Sequence, residues 1–392
     1  MEKTHNKTKR TLILTTSFPR NKEDASSLFV YNLADYLSSY GKVNVLCPSS
    51  DKSESQFINK VKVIRFNYFI PRLQKLAFGI PDKYKRYWFQ IPFLLFFFYK
   101  NSIKIINNYD SINAQWLMPT GLIGALLKKR YNKKFVLTVH NTDVNLMRRL
   151  PFSKYLTNFI VKNADKVFVI SNNSREKLLS MCNKKYTGKI SVMPMGVNVK
   201  YRKVNKKLLQ KKYGIKSDKV IMFIGRLVKL KGLDYLIKAL KGIDNITLIV
   251  AGDGSERDKL VKLAKDLNVK AIFLGQVVGS KKEDYLLCSD LLVVPSIKLR
   301  DGRNDGVPTV ALEALSLGIP VVGSDATSLN EIIRNGYNGF IIKEKDSQEL
   351  KSIINSCYNT GKLKKMAKNA YLSSKKFDIK KIGLAYFKAL KN

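Results

Sequence analysis

Two carboxylates eight positions apart, Asp305 and Glu313, frame the stretch DGRNDGVPTVALEALSLGIPVVGSD at residues 301–325. Pro308 suits the first position of a helix, where its missing N–H costs nothing. TVALEALSL then reads as a short helix, ended by Gly318 and kept from continuing by Pro320. Asp305 falls in the loop ahead of that helix and Glu313 near its middle. The helix tip between them offers free N–H groups and a positive dipole end, which together attract an anion. A carboxylate on either side can bracket a molecule that is anionic in its middle and hydroxylated at both ends, the form of a nucleoside diphosphate sugar. The same spacing also suits a turn acid and a solvated helix acid.

Three other stretches carry groups of the same kind. In FIGRLVKLKGLDYLIKAL (223–240) a strand ends at Gly225, and Arg226 and Lys231 follow in the loop before an amphipathic helix. The fork of Arg and the point charge of Lys can converge on one diphosphate, and both are also ordinary surface bases. In FVLTVHNTDVNLM (135–147) His140 ends a strand and Asp143 follows in the loop. The chain has only two histidines. That excludes H-E-x-x-H and multi-histidine metal sites, and leaves His140 as the one candidate for a Ser-His-Asp triad. A lone histidine also commonly completes a hydrogen-bond network. In SFPRNKEDASSLFVYNLADYLSSYG (17–41) the small residues Ala25, Ser26 and Ser27 let a ligand approach the backbone before a helix begins. This loop lacks the glycines of G-x-G-x-x-G, which argues against a nicotinamide dinucleotide. VAGDGSERDKL (250–260) reads as structural. No D-x-D occurs, which favours neutralisation of a diphosphate by Arg, Lys and a helix end over a bridging metal.

These loops need parallel sheets behind them. Strand-like runs TLILTTSF, VNVLCP, VKVIRF, SINAQW, KFVLTVH, KVFVIS and ISVMPMG alternate with helical stretches in the first half. KVIMFIG, ITLIVAG, AIFLG, LLVVP, IPVVGS and GFIIK do so in the second. Alternation of this kind predicts an α/β chain with two doubly wound sheets. A basic stretch without strand character, 200–214, separates them. The expected division is 1–203, 204–374 and a terminal helix over 375–392 that returns to the first domain. Ligands bind at the carboxyl ends of strands in such sheets, where Arg226, Lys231 and Asp305 fall.

With 392 residues the chain is long enough for two cores, and 71 Lys+Arg against 30 Asp+Glu give it a net charge of +41. Such a field attracts polyanions, anionic lipid or phosphorylated substrates, and it also arises when lysine simply fills solvated faces. Cys47, Cys182, Cys288 and Cys357 form no C-x-x-C, which points away from zinc and disulfide frameworks and toward a reducing compartment. The start of the chain shows no signal-peptide pattern. The apolar run IPFLLFFFY (91–99), preceded by YKRYWFQ, is too short to span a bilayer. It suits either a membrane interface or a core helix.

Taken together the motifs resemble a retaining glycosyltransferase of family 4 with the GT-B fold, two Rossmann-like domains facing a central cleft. VFVISNNSREKL, MPMGVNV, FIGRLVKLKGLDYLIKAL, VAGDGSERDKL, DGVPTVALEALSLGIPVVGSD and EIIRNGYNGFII follow the family's order, and NAQWLMPTGLIGALL and VLTVHNTD match its acceptor-side domain. The family's Glu-x7-Glu has Asp305 in its first position. Its Gly-rich first loop is Ala-Ser-Ser, its Asn before GV is Met195, and a common His is Gln115. The resemblance implies that Glu313 holds the ribose, Asp305 the sugar hydroxyls, and Arg226 and Lys231 the diphosphate. It places His140 near the anomeric carbon with Asp143 supporting it. Ser26 and Ser27 would face the diphosphate, and Val277 in the 276–278 loop the base. Gly225, Gly306, Val307, Pro308 and Thr309 would complete the donor's surroundings. It further implies a metal-independent hexosyl transfer without a cofactor, from a nucleotide sugar to a lipid-linked or polysaccharide acceptor in cell-envelope synthesis. The expected place is cytoplasmic, peripheral on the anionic inner face of the cell membrane, with no specific nucleic acid. A GT-B nucleotide-sugar epimerase and a polyanion-binding protein are the alternatives.

Overall fold

The apolar runs of the first half become strands buried on both faces, as crossover helices require. In the computed structural model, which describes residues 9–21, 24, 27–49, 56–74, 76, 86–148, 150–300, 303–359 and 361–391, they are β1 (Lys9–Leu14), β2 (Gly41–Pro48), β3 (Gln56–Ile58), β4 (Val61–Phe66), β5 (Ser111–Gln115), β6 (Lys134–Val139), β7 (Lys166–Val169) and β8 (Ile190–Val192). Their order across the sheet is 3-4-2-1-5-6-7-8. All pairs are parallel except β3–β4, a short hairpin at the edge. The described α-helices of this half are α1 (Leu28–Leu37), α2 (Ile91–Ile105), α3 (Leu122–Tyr131), α4 (Asn141–Met147), α5 (Ser153–Asn163) and α6 (Asn172–Leu179). α2 contains the run IPFLLFFFY. Leu94, Phe98 and Ser102, one turn apart, enter the core, while Phe93 and Phe96 are exposed.

The second unit contains α7 (Lys206–Lys212), β9 (Lys219–Ile224), α8 (Leu233–Leu240), β10 (Ile246–Ala251), α9 (Arg257–Asp266), β11 (Ala271–Gly275), α10 (Gly279–Cys288), β12 (Leu291–Val294), α11 (Thr309–Ser316), β13 (Val321–Ser324), β14 (Gly339–Ile342), α12 (Ser347–Asn359) and α13 (Lys362–Ser374). Its sheet is fully parallel in the order 11-10-9-12-13-14. Counted within the unit this is 3-2-1-4-5-6, the doubly wound order. The expected α/β architecture of two doubly wound sheets is what the chain forms.

The compact units are the described residues up to Gly196 together with those from Ile379 on, and Val197–Asp378. The division thus lies a few residues ahead of 203/204. The last helix, α14 (Ile379–Lys391), packs on α1 and the β5–β6 face of the first unit. Gly383 lets this happen: a Cβ there would lie 2.1 Å from the Tyr36 ring.

Candidate active site

In the second unit the strand order reverses between β9 and β12, and ligands of such sheets bind outside the carboxyl ends at that point. The loops after β9 and β12 are pressed together there. Gly232 closes the first loop with φ +62°, and a Cβ on it would stand 2.0 Å from the Pro295 carbonyl oxygen. Only glycine meets both demands. The N–H of Ile297 donates to the Leu230 carbonyl at 2.9 Å and ties the same loops. Lys231 is thereby brought to Asp305, to which its Nζ donates at 2.7 Å. Ser296 Oγ donates to the same carboxylate oxygen, Oδ2, at 2.6 Å.

The GDG turn after β10 is structural, as expected. Gly252 has φ +134°, and a Cβ there would meet the Gly225 carbonyl oxygen at 1.9 Å. The turn therefore supports Gly225 from behind. Arg226, next in the chain, is exposed and has no ion-pair partner among the described residues.

Glu313 is not a solvated helix acid. It is buried in the middle of α11, and Lys282 of α10 reaches both its oxygens, at 2.8 Å to Oε1 and 2.7 Å to Oε2. Pro308 stands one position earlier than expected, as the N-cap, with φ −65° and ψ 126°, and Thr309 begins the helix. Val307 is buried, and the Gly306 carbonyl accepts from the Ser328 N–H at 3.2 Å. Val277 is half-buried in the loop from β11 to α10, the helix that carries Lys282.

In the first unit β5 and β6 end at Gln115 and just before His140. The amide nitrogen of Gln115 donates to Asn113 Oδ1 at 2.6 Å and to Thr138 Oγ1 at 3.2 Å. Its oxygen faces His140, whose Nε2–H donates to it at 3.1 Å. Thr138 continues to the Tyr386 hydroxyl at 3.0 Å. His140 is buried, and burial pushes its pKa down to about 3, so the ring is neutral at physiological pH. Phe29 and Trp116 flank it with ring centroids 5.1 and 5.0 Å away.

Trp116 has φ 80° and ψ 145°, a conformation costly for a side chain of this size. Backbone bonds hold it there: its N–H donates to the Thr138 carbonyl at 2.8 Å and its carbonyl accepts from Gly121 at 3.1 Å. Asp143 locks the following residue by accepting the Leu117 N–H, and accepts the Val144 N–H at 2.9 Å. Burial raises the Asp143 pKa to about 7 despite these donors. Ser27 caps α1 in a left-handed conformation and its hydroxyl donates to Ser17 Oγ at 2.7 Å. Ser26 lies outside the described residues.

Three groups at these edges were not foreseen as site residues. Lys282 and Ser296 hold the two acids, and Trp116 flanks the histidine. Among the described residues no group of three His, Cys, Asp or Glu could hold a metal ion.

Two family models match the chain in succession: Glycosyltransferase Family 4 over residues 27–201 and Glycosyl transferases group 1 over 205–373. The chain is a glycosyltransferase of the GT-B type. An uncharacterised glycosyltransferase of Methanocaldococcus jannaschii is 27% identical over 360 residues, 86% of each chain. Sucrose-phosphate synthase of Thermosynechococcus elongatus shares the fold with a TM-score of 0.77 at 19% identity, covering 97% of this chain and 98% of that one. Anabaena HepE in complex with UDP and glucose does so at 0.71 and 21%, covering 98% and 100%.

Proposed function

We propose that this glycosyltransferase moves a hexose from a nucleoside diphosphate sugar to a glycan or lipid-linked acceptor with retention of the anomeric configuration and without a metal. The observation that carries the reading is the Lys231–Asp305–Ser296 cluster at the switch point of the second sheet, beside the tip of α11. Lys231 has three donors and gives one to Asp305, so two remain for phosphate oxygens. Lys231 and Ser296 both occupy Oδ2 of Asp305, which leaves Oδ1 to accept from a sugar hydroxyl. The Glu313 carboxylate, fixed by Lys282, has lone pairs left for the ribose hydroxyls. Arg226 presents its fork to the diphosphate, and the first-turn N–H groups of α11 add a fixed dipole.

In the transfer step the acceptor oxygen forms a bond to the anomeric carbon as the bond to the diphosphate oxygen breaks. The acceptor proton passes to that departing oxygen, and the products are the glycoside and the nucleoside diphosphate. Charge grows on the leaving oxygen, where preorganised cations and N–H donors stabilise the transition state most. Neutral His140, oriented by Gln115 and the Asp143 turn, supplies a hydrogen-bonding group toward the transferred sugar rather than a charge. Ser27 and the base-side residue Val277 complete the donor contacts. The UDP bound by HepE supports a nucleotide donor.

A thermal-shift screen against UDP-, GDP- and ADP-sugars, repeated with EDTA, tests the donor. One nucleotide sugar raises the melting temperature of the wild type, and Arg226→Ala removes the shift. An unchanged shift in Arg226→Ala rejects the site. NMR of the product anomer tests retention, and nucleotide release without any acceptor would favour the epimerase.

A further inference from the structure

Donor chemistry leaves the surface of the first unit unexplained. Apart from Phe57 on β3, Tyr40 and Leu384, its exposed large apolar residues gather in two places. Around the start of α2, Trp88 is 68% and Phe96 60% exposed, with Phe89 and Phe93 beside them. The group is continuous: Phe69 lies 6.1 Å from the Phe89 ring and 5.3 Å from that of Phe93. Lys100 stands 5.9 Å from the Phe96 ring, one turn further along the helix. The second place is the start of α5, where Phe152 is 85% and Tyr155 78% exposed. Phe152 also takes a left-handed conformation, φ 59°, with no capping bond from its side chain. An aromatic ring held in water by an unfavourable backbone is doubly costly for the isolated chain.

Topology puts the two places together. α2 leads to β5, α3 to β6 and α5 to β7, each crossover moving the same way across the sheet. Right-handed crossovers in one direction lie on one face, and α3 packs against both α2 and α5. Each helix runs opposite to the strand it feeds, so the starts of α2 and α5 both lie at the carboxyl edge, the edge where β5 and β6 deliver Trp116 and His140. Charge says what covers this edge. Arg72 and Arg86 precede the start of α2, and Arg148 and Lys154 flank the start of α5, with no Asp or Glu between residues 86 and 108 or between 146 and 162.

We propose that the starts of α2 and α5 form a two-pronged surface that docks on an anionic lipid bilayer. Aromatic rings enter the headgroup level and the surrounding bases pair with lipid phosphates, the arrangement that interfacial binding favours. No span is involved: among the described residues no helix is long and apolar enough to cross a membrane. The docking does not depend on the donor reading, and flotation and nucleotide binding fail separately.

Flotation of the full chain with phosphatidylcholine vesicles, with and without phosphatidylglycerol, tests it. Wild type floats with the anionic vesicles only, and added salt weakens binding. Trp88→Ser/Phe96→Ser and Phe152→Ser/Tyr155→Ser each lower partitioning at least about tenfold. Leu208→Ser, an exposed apolar residue of the second unit, changes nothing. In Trp116→Phe, where Trp88 is the remaining tryptophan, its emission shifts to the blue on adding anionic vesicles, a readout that needs no surface variant. Three results overturn the proposal: no flotation at low salt, flotation of both double variants equal to that of wild type, or self-association in light scattering that the same substitutions abolish.

Discussion

At the carboxyl edge of the second sheet each acid meets a lysine, Asp305 with Lys231 and Glu313 with Lys282. At the same edge of the first sheet His140 meets the neutral amide of Gln115, between two aromatic rings. The two edges differ in counter-charge. In the first unit no counter-charge offsets desolvation, so the imidazole stays neutral and Asp143 holds its proton up to about 7. In the second unit each acid has a lysine within hydrogen-bond reach. One edge thus carries acid–lysine pairs and the other an uncharged imidazole.

The largest way to break the comparison is Lys282→Met, which strands the buried Glu313 carboxylate. A loss of about 3–5 kcal/mol in denaturant unfolding is expected, and Lys282→Met/Glu313→Leu should recover most of it. Full stability of the single variant would mean that Glu313 is not held as a charge. Next comes Arg226→Ala. Removing one preorganised donor costs about 2.7–4 kcal/mol of transition-state stabilisation, roughly 10²–10³ in rate, while the melting temperature stays put because the side chain is exposed.

The first unit is sharpened by pH. Asp143, raised above its ordinary 3.8, contributes stability that is fully present below about 3.8 and is lost as pH rises toward about 7. His140, lowered from 6.5, contributes stability present above 6.5 and lost as pH falls toward about 3. The two oppose each other between those limits. Asp143→Asn should therefore gain on the wild type as pH rises through this window, by up to about 1.4 kcal/mol per unit. A flat difference between the two melting curves would place the titration elsewhere. The smallest effect is Tyr386→Phe, which removes the hydroxyl that meets Thr138 and should cost about 0.5–1.5 kcal/mol.

What could be read from sequence follows the same physics. Runs such as KVIMFIG and ITLIVAG are apolar on both faces, so their strands were legible. β3 was not, because three residues at an edge, QFI, owe their pairing to the neighbouring strand rather than to their own pattern. The loop acid and helix acid of 301–325 were legible because Pro and Gly punctuate the turn. Their partners were not. GSKKEDY contains two adjacent lysines, and only the packing of α10 on its neighbours decides that Lys281 is exposed while Lys282 turns to Glu313. Trp116 was hidden for another reason: nothing in NAQW signals a positive φ.

The return of α14 to the first unit has a consequence for synthesis on the ribosome. The second unit is contiguous in the chain, Val197–Asp378, and is complete before the helix bearing Gly383 and Tyr386 exists. The earlier-made half must therefore wait, with the surface around Tyr36 and Thr138 uncovered, until the final turns emerge. A chain stopped at Asp378 would leave the half made first, not the half made last, as the one in need of a chaperone.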